Sequence, residues 1–203
     1  MTSIAPLIPR KTPRQSRATA TRDAIVEAAA RILEADGMGG FNTNAIAARA
    51  GVSIGSLYQY FPAKDAILAT LIHAEAKAFD SALSEGVRRA ERLSLAGAIG
   101  VLAQVAVAHQ TRRPRLARQL DLEEHRLGLE AELDQTNRRV GQILIDFLTE
   151  RRLGDRAGHA AWDILHLSRG LIDGALERGV TEGLEARLTR AILGYLAIPP
   201  DRA

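Results

Sequence analysis

Phe41–Asp65 reads FNTNAIAARAGVSIGSLYQYFPAKD, and its texture changes every seven or eight residues. Thr43 can cap a short helix whose Ile46, Ala47 and Ala50 face inward, and Gly51 stands where a sharp bend needs positive φ. Val52 plugs the bend, Ser53 caps a second short helix over Ile54 to Tyr60, and another helix starts after Pro62. A two-turn helix does not persist by itself, so the second must be held by packing, with Leu57 and Phe61, four apart, as its buried side. Ile54, Gly55, Ser56, Tyr58 and Tyr60 are then left for the outer surface.

Four of the chain's eight aromatic residues lie between Phe41 and Phe61. Tyr58 and Tyr60 are two apart, so they cannot both face one core on a helix. As core residues they would keep their hydroxyls at the rim. As surface residues their hydroxyls suit phosphates beside a major groove, with Ser56 and the bare backbone at Gly55 near base edges.

Upstream, Ile25, Ala28, Ala29, Ile32 and Leu33 recur at helical spacing from about Ala18 until Gly37, Gly39 and Gly40 end the run. Before it, Pro6, Pro9 and Pro13 break any helix, and residues 1–17 are expected to be a flexible basic arm. Arg10, Lys11, Arg14, Arg17 and Arg22 meet no acid before residue 23. The net charge of +3 sits wholly at the front: residues 1–65 hold eight Lys/Arg against five Asp/Glu, and residues 66–203 hold nineteen of each. Such a segment attracts polyanions, and it also suits a solvated tail.

The pattern T-x-x-I-A-x-x-A-G-V-S-x-G-S-L-Y-x-Y-F-x-x-K-D, from Thr43 to Asp65, resembles the DNA-binding domain of the TetR family of bacterial transcriptional regulators. The resemblance implies DNA contacts from Thr43 and Asn44, groove contacts from Ile54, Gly55, Ser56, Tyr58 and Tyr60, and a phosphate contact from Lys64. Ile54 and Gly55 offer no side-chain hydrogen bonds, so Ser56 and Asn44 would carry more of the direct readout.

Further along, helices are expected over about Lys64–Glu85, Ser94–His109, a short Arg115–Leu120 after Pro114, Leu122–Arg151, a helix from an Asp155 cap to Arg178, and Glu182–Leu196. No strand pattern or repeat occurs. The expected fold is all-α: an N-terminal three-helix helix-turn-helix domain over 18–63 and a six-helix C-terminal ligand-binding and dimerisation domain over 64–203. This count matches the three plus six of the resembled family.

A single head grips one half-site weakly, so a homodimer is expected. Leu165, Ile172, Leu176, Leu188, Ile192 and Tyr195 form the stripes for it, with Gly170 and Gly174 allowing close helix approach. His109, Arg113, Asn137, Trp162, His166 and Arg169 interrupt apolar stripes or flank the Pro114 break, and they suggest a pocket for an uncharged or anionic organic effector. The resemblance implies a repressor released from a palindromic operator when that effector binds.

No enzyme is expected. The five histidines show no metal-binding spacing, no phosphate loop or nucleophile motif occurs, and adjacent Glu123, Glu124 and His125 point in different directions on a helix. No cofactor or metal is expected. With no cysteine, no signal peptide and no long apolar run, the chain reads as a cytoplasmic protein without membrane contact. A helical protein-interaction adaptor without specific DNA readout is the alternative.

Overall fold

The computed structural model describes residues 16–197. Among these residues stand nine α-helices, one 3-10 turn and no strand, as expected of an all-α chain. The helices are α1 (Ser16–Gly40), α2 (Thr43–Ala50), α3 (Ile54–Tyr60), α4 (Lys64–Ala90), α5 (Leu95–Thr111), α6 (Pro114–Leu127), α7 (Glu130–Glu150), α8 (Ala157–Glu177) and α9 (Leu184–Ala197). The arm read over 1–17 lies, save Ser16 and Arg17, outside the described residues. None of the helices is long and apolar enough to cross a membrane.

The described residues divide into two compact units, one of residues up to 75 with 115–133, the other of residues 76–114 with those from 134 on. In the first, α1 packs on α2 and α2 on α3. Ile25, Ala28, Ala29, Ile32 and Leu33 are all buried, the face their spacing predicts. Gly37 (φ 61) interrupts α1 before its last residues. The cap of α2 differs from expectation. Asn42, in extended backbone (φ −141, ψ 158), accepts the Ala45 N–H at 2.9 Å, and Thr43 is already helical. The cap must be the last non-helical residue, and the chain turns helical at Thr43, one residue earlier than a Thr43 cap requires.

Gly51 takes φ 69, and its N–H reaches Ala48 O at 3.2 Å while the Val52 N–H reaches Ala47 O at 3.0 Å. This pair of bonds is a Schellman closure, which satisfies two carbonyls at the end of α2. Ser53 caps α3 by accepting the Ser56 N–H at 3.0 Å. Leu57 and Phe61 are fully buried. Together they contribute roughly 3–6 kcal/mol, which holds a seven-residue helix that would melt in isolation.

The same unit holds α6 and the start of α7, and here the expectation of a short segment followed by one long helix is corrected. Pro114 is the first residue of α6, where its missing N–H costs nothing. Gly128 (φ 65) then ends α6, and the Leu129 N–H closes back on Glu124 O at 3.3 Å. The apolar stripe continues through Leu129 and Leu133, both buried, so periodicity alone does not reveal the break.

The second unit is built around Leu83, Ile99, Leu102, Val107, Leu144, Phe147, Leu148, Ile164, Ile172, Leu188 and Ile192. In it α5 packs on α8 and α9, and α8 on α9. α4 continues past Glu85 to Ala90, where Arg151 caps it by donating to the carbonyls of Ala90 and Leu93, each at 2.7 Å. Asp155 does not cap α8. It sits in the 3-10 turn Gly154–Arg156, which runs into α8 with no side-chain cap.

Candidate nucleic-acid interface

The outer side of α2 and α3 carries the residues the sequence singles out. Ile54 is 39% and Tyr58 42% exposed, high for large apolar side chains. Asn44 and Gly55 are exposed, and Thr43, Ser56 and Tyr60 are half-buried. The Tyr58 hydroxyl lies 3.2 Å from Thr43 Oγ1, linking α3 to α2. Ser56 Oγ lies 2.9 Å from Ser53 Oγ, so the N-cap orients the hydroxyl expected to read bases. A Cβ added at Gly55 would meet only Ser53 Oγ, at 3.9 Å, which leaves that stretch of backbone open to approach. Arg22 of α1 stacks on the Phe61 ring with its guanidinium carbon 5.9 Å from the centroid.

Lys64, exposed, begins α4 in the same unit. Its neighbour Asp65 enters a network that sequence reasoning missed. Arg126 of α6 donates to Asp65 Oδ1 at 2.9 Å and Oδ2 at 3.4 Å, and its Nε donates to Glu123 Oε2 at 2.5 Å. Glu123 is 8% exposed, so its charge needs this partner. The hydrogen bond to Asp65, then that to Glu123, holds the Arg126 guanidinium above its ordinary pKa. The pairing spans 61 residues, and no local spacing announces it. A second cross-link joins His73 Nε2 to Glu132 Oε2 at 3.2 Å.

The residues suggested for an effector pocket do not converge. His109 is half-buried with its ring 5.0 Å from that of Phe79, and Arg113 is half-buried. Asn137, Trp162, His166 and Arg169 are exposed. The last three share one face of α8: His166 Nδ1 donates to the Trp162 carbonyl at 2.7 Å, and Arg169 Nε lies 3.7 Å from Asp173 Oδ2. An open cleft of about 600 Å³ in the second unit is lined instead by Val107, Thr111, Pro114, Leu176, Thr181 and Leu184 among others, and by none of the six. Among the described residues no buried side-chain nitrogen or oxygen lacks a partner, so no orphaned polar group marks a ligand.

Three of the six residues assigned to a dimer surface, Ile172, Leu188 and Ile192, are buried in the core of this single chain. Side chains already withdrawn from water have no area left to bury against a second copy. Leu165, Leu176 and Tyr195 keep partial exposure. The Tyr195 hydroxyl donates to Asp163 Oδ2 at 2.5 Å, which, with some desolvation, raises its pKa.

Comparison with known proteins bears on these elements. Residues 25–71, from the core of α1 into α4, match the family model described as bacterial regulatory proteins, tetR family. A comparison with curated proteins finds no match. Among solved structures, the fatty acid degradation regulator FadR from Bacillus halodurans superposes with a TM-score of 0.70 at 18% identity, covering 95% of this chain and 100% of its own. FadR from Bacillus subtilis, solved with stearoyl-CoA, gives 0.69 at 21% identity over 86% and 96%. A TetR-family transcriptional regulator from Streptomyces coelicolor gives 0.62 at 21% identity over 87% and 99%. Residues 25–71 are therefore similar to the tetR-family regulatory model, and the described residues share the all-α fold of these solved structures.

Proposed function

We propose that this chain is a sequence-specific DNA-binding transcriptional regulator, a homodimeric repressor that leaves a palindromic operator when a small organic effector binds. One observation carries the reading. The Schellman turn at Gly51 presents a packed seven-residue α3 whose outer side holds Ile54 and Tyr58 in the open, an arrangement suited to a major groove. Thr43, Asn44, Ile54, Gly55, Ser56, Tyr58, Tyr60 and Lys64 are the contact residues we assign. Phosphate contacts fall to Lys64 and the tyrosine hydroxyls, and base edges to Ser56 and Asn44. Functionally we divide the chain into a basic arm over 1–17, a DNA-binding domain over 18–63 and a regulatory, dimerising domain over 64–203.

The regulatory part of the proposal is a population shift. An effector that binds a conformer unable to span both half-sites draws the dimer off DNA, and couplings of about 1–3 kcal/mol change affinity about 5- to 150-fold. The stearoyl-CoA bound to the Bacillus subtilis protein makes acyl-CoAs one arm of a metabolite panel.

Selection from random duplex DNA with the full chain tests the core of the reading. The expected product is one enriched palindrome with half-sites about a turn of duplex or more apart. An unenriched pool would favour the adaptor reading. Operator affinity unmoved across the panel would remove the effector and leave the DNA reader.

A further inference from the structure

We infer that Arg126 of α6 is a positioning residue for DNA binding: it ties down Asp65 and offsets its charge, so that Lys64 is what the first turn of α4 presents to a phosphate. This rests on the DNA-binding reading above. Lys64 and Asp65 are consecutive, with Cα atoms about 3.8 Å apart, so any phosphate that reaches Lys64 also feels the Asp65 carboxylate. An unopposed Asp65 would cancel Lys64 as seen from the DNA.

The guanidinium prevents this in two ways. Its terminal nitrogens take both Asp65 oxygens, at 2.9 and 3.4 Å, which holds the carboxylate to α6. Its charge also lowers the local negative total. Two carboxylates and one guanidinium sum to one negative charge, and without Arg126 the pair Asp65 and Glu123 would leave two. Arg suits the task better than Lys because its planar fork serves both carboxylates at once. Asp65 itself has a local use, since a carboxylate in the first turn of a helix meets the positive end of the helix dipole. The fold thus keeps a helix-stabilising acid beside a phosphate-binding cation, and Arg126 makes the two compatible.

The test measures operator affinity of the full chain as a function of salt, with thermal midpoints, for wild type, Arg126→Gln, Asp65→Asn and the double variant. Arg126→Gln should weaken binding to every sequence alike, by roughly two- to threefold per half-site at low salt. Asp65→Asn should lower the thermal midpoint yet tighten DNA binding, and the double variant should return towards wild-type affinity. Removing a carboxylate beside DNA tightens binding whatever Arg126 does, so the deciding reading is the cycle: the loss on Arg126→Gln should be smaller in the Asp65→Asn background than in wild type. If Arg126→Gln fails to fold because Glu123 is stranded, the pair Arg126→Gln with Glu123→Gln takes its place in the cycle: a smaller loss in the Asp65→Asn background supports the inference, and an equal loss in both backgrounds overturns it. A folded Arg126→Gln that binds as wild type also overturns it. A wild-type chain that enriches no DNA site overturns the DNA reading itself, and this inference with it.

Discussion

Asn42 and Thr43 are both good capping residues, and only one of them caps α2. Asn42 Oδ1 holds the Ala45 N–H, whereas the Thr43 hydroxyl lies against Tyr58. Asn42→Ala should therefore lower stability by about 1 kcal/mol, and Thr43→Ala by clearly less, in urea unfolding of the full chain. Equal losses would restore Thr43 as the cap. By sequence the cap falls at Thr43, one residue too late, because two good capping residues stand side by side and the choice depends on where the backbone turns helical. Gly51 was legible for the opposite reason: φ 69 costs other residues about 1–2 kcal/mol, so a glycine between two short helical patterns is a strong local signal. Ser56 lies between these cases. Its place on α3 was readable, but its hydroxyl bond to Ser53 depends on side-chain geometry.

At the scale of elements, the same logic separates breaks that show from breaks that do not. The turns at Gly51 and Gly179 fall between separate apolar patterns, while Gly128 falls inside a stripe that runs from Leu120 through Leu129 to Leu133. Packing between elements is less visible still. A Cβ at Gly141 of α7 would lie 2.9 Å from Trp162 Cζ2 and 3.1 Å from Cη2, so the indole of α8 rests on that glycine. Gly141→Ala should push the ring outward with modest loss of stability, because Trp162 is already 40% exposed and free to swing. Trp162 is the chain's single tryptophan, so a red-shifted emission maximum reads the displacement directly. An unshifted spectrum would mean that α7 and α8 separate instead, and the thermal midpoint would then fall more steeply.

Across the whole molecule, the informative quantity is the distribution of charge rather than its total. The excess of three positive charges lies in residues 1–65, and Arg10, Lys11 and Arg14 lie within the first fifteen residues. If the front of the chain adds non-specific attraction to the proposed reader, deleting residues 1–15 should reduce the slope of log affinity against log salt by up to about 3 per half-site. The order of preference among operator sequences should stay the same, since phosphate contacts carry no base information. A deletion that leaves the slope untouched would assign those cations to solvent alone.

The sequence by itself determined an all-α chain with a helix-turn-helix near its front, because helical periodicity, turn glycines and caps act over a few residues. Only the tertiary structure decided which apolar stripes are core. Ile172, Leu188 and Ile192 look as available for a second copy as Leu165 and Leu176 do until α5, α8 and α9 pack together and bury them. It also decided that Arg126 meets Asp65 across 61 residues of chain. Burial and ion pairing depend on which surfaces the fold brings together, and no short-range pattern records that.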